Sequence, residues 1–343
     1  MSVDVVITNY QYARFLKQSA ASVLGQQVPD LRLLIIDNAS TDGSQGVARE
    51  IAAADPRVSL ILNEENQGYH HSFNRAIDWA SADYMVILDA DDLLTEGALA
   101  AGTAFLDRHP GASMLYGVEG RLTDAYLDPG RGNPLLPRWI VTSGADYIRQ
   151  TCADSFCDIG APAVIRRTSA QKAAGYFRKS LERTCDFEMY LRFALQGDIA
   201  RTTKVLGIRR MHPAQLSTQY LSSPVADLKE HELAFASFFK HEGAAVPRAR
   251  ELEALSRKKI GEYAYWCAVW QTIFRRPGAR ETFAMAVANR GGAVALPLPF
   301  LFKRRWLRSL WRIVLRKIFK PVPLKRPSDD RGRAAPSILA GAS

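Results

Sequence analysis

Short β-branched apolar runs alternate with longer stretches of helical periodicity from the first residue onward. Residues 3–8 form an apolar run that ends in Thr8-Asn9 and predicts a strand, and residues 12–24 follow with apolar positions three to four apart. A second run, 31–36, is closed by Asp37-Asn38-Ala39-Ser40-Thr41-Asp42-Gly43, a cluster that ends a strand and caps a helix over 44–54. Residues 58–62 and 84–88 predict strands, with a helix over 69–80 between them. A helix over 96–108, a strand at 114–118 and an amphipathic helix over 186–195 follow. From 225 to 289 the pattern is almost wholly helical, broken at 243–247 and 276–278, which places a subdomain change near residue 220. Strands that alternate with helices and are apolar at nearly every position imply an α/β fold, a mostly parallel sheet covered by helices on both faces, with a C-terminal helical region.

In such sheets ligands bind beyond the carboxyl ends of the strands. The polar residues gather at those predicted ends: Thr8-Asn9-Tyr10, Asp37-Asn38, Asn63-Glu64 and Asp89-Ala90-Asp91-Asp92. Carboxylates at i and i+2 point to the same side as a strand ends, and together they suit a hard divalent cation such as Mg²⁺ or Mn²⁺, which leaves positions open for phosphate oxygens. The alternative for this stretch is an acidic loop in which Asp92 caps the next helix.

Composition narrows the class. With 47% apolar residues, 23 Gly and 4 Cys in 343 residues, collagen-like, disulfide-stapled and wholly disordered chains are excluded. Cys152, Cys157, Cys185 and Cys267 have neither CxxC nor zinc spacing and are expected to be reduced packing residues. The N-terminus shows no secretory pattern and no apolar window reaches spanning length, so a cytoplasmic protein is expected.

The net charge of +10 is concentrated at one end. Between residues 300 and 343 twelve Lys and Arg face only Asp329 and Asp330, so the remainder of the chain is neutral. A neutral body with one cationic segment argues against nucleic acid and for a local electrostatic attachment. Leu307, Leu310, Trp311, Val314, Leu315 and Ile318 recur at helical spacing opposite the stripe Arg304, Arg308, Arg312 and Arg316. Residues 300–320 therefore read as a basic amphipathic helix in an anionic membrane interface, the alternatives being a helix packed on the body or a contact with another macromolecule. Residues 321–343, rich in Pro, Arg and Ser, are expected to be disordered.

Several stretches together carry a family resemblance. VDVVITNY at 3–10, IIDNASTDGS at 35–44, NEENQG at 63–68, FN at 73–74, ILDADD at 87–92, GYF at 175–177, CDFEMYLRF at 185–193 and RRMHPAQLS at 209–217 occur in an order that resembles the family 2 glycosyltransferases of GT-A type. The resemblance implies a catalytic domain over 1–220, with 221–299 as a helical extension. It implies that Thr8 and Tyr10 bracket the nucleotide base, that Asp37 and Asn38 contact base and ribose, and that Gly68 and Asn74 belong to the nucleotide site. Asp89 and Asp91 match the family's DxD pair, with Asp91 as direct metal ligand, Asp89 nearer the ribose and Asp92 a further contributor. His212 matches a His that completes the metal shell, although a lone His is also a common core residue. Asp186 matches the general base, while its place at a helix start has a macrodipole reading as well.

Three departures accompany the match. Asn38 stands where the family often has Asp, and its carbonyl is still able to accept from a base N–H. Phe73 replaces an Arg over the base, and Cys185 replaces the Glu before the catalytic Asp. His70 and His71 lie near this pocket or simply at a solvated helix start. The implied activity is inverting, metal-dependent transfer from a nucleotide-diphosphate sugar, a UDP-sugar favoured and dTDP or GDP as alternatives; the basic segment 300–320 adds the expectation of a membrane-proximal glycan or lipid-linked acceptor, as in bacterial surface polysaccharide synthesis. The enzyme would sit peripherally on the inner face of the cell membrane. A sugar nucleotidyltransferase and a non-catalytic membrane scaffold are the rival readings.

Overall fold

The apolar runs of the first ninety residues become strands because each has side chains to bury on both faces. A computed structural model of the chain describes residues 1–123, 127–128, 137–154, 159–213, 215 and 224–289. Strands β1 (Ser2–Asn9), β2 (Asp30–Asp37), β3 (Val58–Leu62) and β4 (Tyr84–Asp89) alternate with helices α1 (Ala13–Leu24), α2 (Ser44–Ala54) and α3 (Tyr69–Trp79). They continue through β5 (Leu93–Leu94), α4 (Ala98–Arg108), β6 (Ala112–Leu122), β7 (Leu127–Asp128), β8 (Trp139–Thr142), α5 (Gly144–Asp154), β9 (Val164–Arg167), α6 (Thr168–Ala174), α7 (Cys185–Gln196) and β10 (Asp198–Arg210). Helices α8 (Pro224–Lys240), α9 (Ala249–Ile273) and α10 (Ala279–Asn289) complete the described chain.

The strands form one sheet in the order β3-β2-β1-β4-β9-β6-β10-β5, with β7 beside β6 and β8 beside β10. The first four strands are parallel, as expected from their pattern, and their register is level: Asn9 lies opposite Asp37, and Thr8 opposite Asp89. Beyond β4 the sheet is mixed. β9 runs antiparallel to both β4 and β6, whereas β10 runs parallel to β6 with register shifts and antiparallel to β5 and β8. The expectation of a mostly parallel sheet therefore holds for one half, because β9 is four residues long and follows a stretch of sequence that carries no periodic signal.

Alternation along the strands sorts the core into two layers. Val3, Val5, Ile7, Val86 and Leu88 pack with α1 and α4, while Val6, Leu34, Ile36, Met85 and Ile87 face α3, α5 and α7. The second layer continues into Phe235, Phe238, Ile260, Ala264 and Met285 of α8, α9 and α10, so the helical extension shares its core with the sheet. The expected helix breaks correspond to a 3-10 turn at Glu242–Ala245 and to the turn between α9 and α10. No helix among the described residues is long and apolar enough to cross a membrane. The amphipathic segment 300–320, the tail 321–343, Cys157 and most of the loop 122–138 lie outside the described residues.

Candidate active site

Because β1, β2 and β4 end level, the polar residues after them meet at one edge. Asp37, fully buried, accepts from Asn9 Nδ2 at 2.6 Å and from the Ser40 amide at 2.8 Å. The Gln11 amide donates to Ser40 Oγ at 2.9 Å, and Gln11 and Ala39 both adopt φ 62, a left-handed conformation rare outside glycine. Two such residues in adjoining loops, each held by the other loop's hydrogen bonds, mark a preformed site. Tyr10 is 45% exposed just beyond them.

Asn38 sits in an amide chain whose polarity is set by the backbone. Its Oδ1 accepts from Asn63 Nδ2 at 3.0 Å and from the Gln67 N–H at 3.2 Å, and its Nδ2 donates to Asn66 Oδ1 at 2.7 Å. Asn66 Oδ1 also takes the Gly68 N–H at 2.9 Å, and Asn63 Oδ1 takes Arg75 Nη1 at 2.7 Å. The carbonyl expected to read a base N–H is thus already filled on both lone pairs, and the amide's unused capacity is one N–H donor. Gly68 has φ 81 with open space where a Cβ would stand, so conformation and not crowding requires glycine there. Asn74 is tied at both ends to the Phe177 backbone, at 2.8 and 3.1 Å, and Phe73 packs on Tyr69 and Phe177. His70 is buried with Nε2 at 3.1 Å from the Leu181 carbonyl. Both residues thereby anchor the 175–182 segment to α3.

The acid turn follows β4. Carboxyl oxygens of Asp89, Asp91 and Asp92 lie within 4.8 Å of one another. Burial, then the charge of Asp91, pushes the Asp89 carboxyl up to about 6, and the same two causes raise Asp92 well above the usual range. Asp92 accepts the Arg210 N–H at 3.0 Å, whereas α4 starts after Gly97, so Asp92 does not cap that helix. Thr8 Oγ1 donates to Asp89 at 3.2 Å.

Strand β10 closes the turn from the far end of the domain. Its pairing with β5, Gly207 opposite Leu94 and Ile208 opposite Leu93, carries residues 209–212 over the acids. Arg210 Nε donates to the Asp91 carbonyl at 3.0 Å and its Nη2 to Gln18 of α1 at 2.6 Å. His212, 9% exposed, lies with Nε2 3.1 Å from Asp91 Oδ2, wedged between the rings of Tyr12 and Phe15. Its buried Nδ1 has no hydrogen-bond partner. Three crowded carboxylates, two of them reluctant to ionise, with an imidazole nitrogen on the same side, fit a divalent cation.

Asp186 stands in the first turn of α7, partly exposed. Burial raises its carboxyl, opposed by the Phe187 N–H at 2.7 Å and by the charges of His231 and Arg166. Its own charge is near enough to add, as the smallest of the influences on that group, to the upward shift of Asp89. The loop before it is tied to α8, since Glu230 accepts the Arg183 N–H at 3.1 Å and the Thr184 hydroxyl donates to the Glu230 carbonyl at 3.1 Å. Deeper in the same layer, Glu188 is fully buried and pairs with Arg192 at 2.8 Å and with Arg178.

Asp37, Asn38, Gly68, Thr8, Tyr10, Asp89, Asp91 and His212 are thus arrayed along one edge, with Asp186 near enough for its charge to act at Asp89 and Asn74 set back against Phe177. Residues absent from the sequence reading also belong here. Tyr12 has its phenol raised by burial and then by Asp91, Asp89 and Asp92, and the charge of Arg209 reaches Asp89 and Asp92. Arg166, 3% exposed, has Nε and Nη1 unpaired and is drawn downward by burial beside Tyr190 and Asp186. The Arg209-Arg210 pair before His212 was a visible signal; Arg166 and His231 had none.

Comparison with known proteins agrees with this geometry. The family described as Glycosyl transferase family 2 matches residues 4–173. Bacillus subtilis EpsE, named as a glycosyltransferase, is 29% identical over 57% of this chain and 67% of its own length. The chain's match to another curated relative, 30% identical, covers only 25% of that longer protein. Among solved structures, a mannosyltransferase from Pyrobaculum calidifontis in complex with GDP-Man and Mn²⁺ superposes with a TM-score of 0.55, at 17% identity over 93% of this chain and 81% of the other. S. aureus TarS 1–349 with UDP-GlcNAc gives 0.54 at 15% identity, over 84% and 89%. These two likenesses establish the GT-A fold, and the family match over the sheet and its acid turn assigns residues 4–173 to glycosyl transferase family 2.

Proposed function

We propose that the chain is an inverting, metal-dependent glycosyltransferase. It would move a sugar from a nucleoside-diphosphate sugar to a hydroxyl of a membrane-proximal glycan or lipid-linked acceptor in bacterial surface polysaccharide synthesis. The observation that carries the reading is the meeting of Asp89, Asp91 and Asp92 with His212 at the level strand ends, within reach of the charge of Asp186.

Asp91, Asp89 and His212 would hold Mg²⁺ or Mn²⁺, which when bound neutralises charge on the leaving diphosphate. Asp186 Oδ accepts the proton of the acceptor hydroxyl as that oxygen attacks the anomeric carbon and the bond to the diphosphate breaks. The charges of His231 and Arg166 hold Asp186 toward its ionised, competent form against the cost of burial. Arg209 adds positive charge beside the acids, where a diphosphate would sit. Thr8, Tyr10, Asp37, Asn38 and Gly68 frame the nucleoside side. UDP and GDP sugars are both supported as donor classes by what the superposed proteins bind.

Attachment through the basic segment 300–320 to the inner membrane face supports an acceptor at the membrane. The test is product analysis with a panel of nucleotide sugars and Mn²⁺. Release of nucleoside diphosphate that falls about 10²-fold or more in Asp186→Asn and Asp91→Asn is expected; release of pyrophosphate, or turnover unaffected by both changes, defeats the reading.

A further inference from the structure

We propose that the tip joining α9 to α10 is a lipid-contacting surface that takes an anionic membrane. This goes beyond attachment by the segment 300–320, because the tip belongs to the folded body, and it rests on the same placement of the enzyme at a membrane.

The tip combines exposed apolar and cationic side chains. Ile273, the last residue of α9, is 68% exposed and Phe283 of α10 is 41% exposed. Arg275, Arg276 and Arg280 are all exposed between them, and none is ion-paired with a described acid. Residues 263–280 contain these three arginines and no Asp or Glu. Tyr265, Val269, Ile273 and Phe283 line an open apolar groove whose rim is Arg280.

The tip is held firmly. Arg276 N–H donates to the Gln271 carbonyl at 2.7 Å, Gln271 Nε2 to the Pro277 carbonyl at 3.1 Å, and Phe274 N–H to the Trp270 carbonyl at 3.0 Å. Gly278 at φ 87 turns the chain into α10. An apolar point held in this way and ringed by unpaired arginines is what an interfacial anchor needs: side chains to enter the acyl boundary and charge to meet anionic headgroups. Arginine suits the headgroup phosphates because its fork of donors matches their oxygens. An acidic protein or a nucleic acid would use the arginines but leave Ile273 and the groove without a role. The sequence beyond α10 repeats the same chemistry in residues 300–320.

The test uses the full chain and vesicles of phosphatidylcholine alone or mixed with phosphatidylglycerol. Wild type is expected to co-sediment with the anionic vesicles, and Ile273→Ser/Arg276→Glu/Arg280→Glu to partition about tenfold less or weaker still, with an unchanged melting temperature. A fluorophore on Ile273→Cys should shift to the blue on anionic vesicles only. Vesicle binding at wild-type strength by the triple variant, with the fluorophore still in water, overturns the tip while leaving attachment by 300–320 standing. No vesicle binding by wild type overturns both. A change in oligomeric state of the triple variant at unchanged vesicle binding would mean that the groove takes a second copy of the chain, and also overturns the proposal.

Discussion

The sheet handles polarity differently on its two sides. In β3-β2-β1-β4 the side chains directed into the packed layers are almost all apolar, and polar residues wait at the strand ends, where backbone amides and neighbouring amide groups fix them. Beyond β4 charge is carried inside: Arg166, Glu188 and Arg192 are 3%, 0% and 2% exposed. The first side builds a site by geometry, since parallel strands that end level present their termini together. The second tunes one through Arg166, whose buried charge acts on Asp186 where water screens it little, while Glu188 and Arg192 neutralise each other in the core. A sugar-transfer reaction calls on both, a fixed seat for the nucleotide and a carboxylate whose proton affinity is controlled.

That division can be broken at either side. Asp186→Asn should lower kcat by roughly 10³-fold while nucleoside diphosphate still binds, as read by steady-state kinetics and calorimetry. Asp91→Asn should act on the other side, lowering turnover about 10²-fold and abolishing the thermal shift given by Mn²⁺. Glu188→Gln leaves the buried Arg192 without its paired carboxylate, whereas Arg178 keeps Glu242, and denaturant unfolding should show a loss of roughly 3 kcal/mol.

Two smaller effects sharpen the contrast. Asp89, raised to about 6, keeps its proton in the folded state at pH values where the unfolded chain, at its ordinary value of 3.8, has lost it. This group therefore adds stability to the metal-free protein at low pH and withdraws it as pH rises through about 6. Because the cation must displace that proton, the Mn²⁺ thermal shift should shrink between about pH 7.5 and about pH 5.5. On the second side, His231→Ala removes a charge that holds Asp186 down, so the acid limb of the pH–rate profile should move to higher pH by less than about one unit.

The parallel side was largely legible in the sequence. Its strands bury both faces and read as unbroken apolar runs, and the i, i+2 spacing of Asp89 and Asp91 announces a shared direction. β10 was not, since its thirteen residues include Arg201, Thr202, Thr203 and Lys204 at an irregular stretch where the register slips. α5 was equally hidden, with Asp146, Arg149 and Gln150 diluting its apolar spacing. The nearness of His231 to Asp186 follows from how α8 folds back against α7, a relation between distant segments that local periodicity does not encode. The reading of Asn38 missed for a related reason: an isolated amide is ambiguous, and only the main-chain donors at Gln67 and Gly68 decide which way it faces.

Those two main-chain donors have an evolutionary implication. Asn38→Asp would set a carboxylate against Asn66 Oδ1, and Asn66 is unable to reverse without orphaning the Gly68 N–H. On the role proposed above for Asn38 at the nucleoside side, a lineage exchanging its amide for a carboxylate would have to change residues 38 and 66 in concert, or remodel the turn that supplies both amides. Single substitutions here should therefore be dead ends, with the route from amide to carboxylate lying through paired replacements.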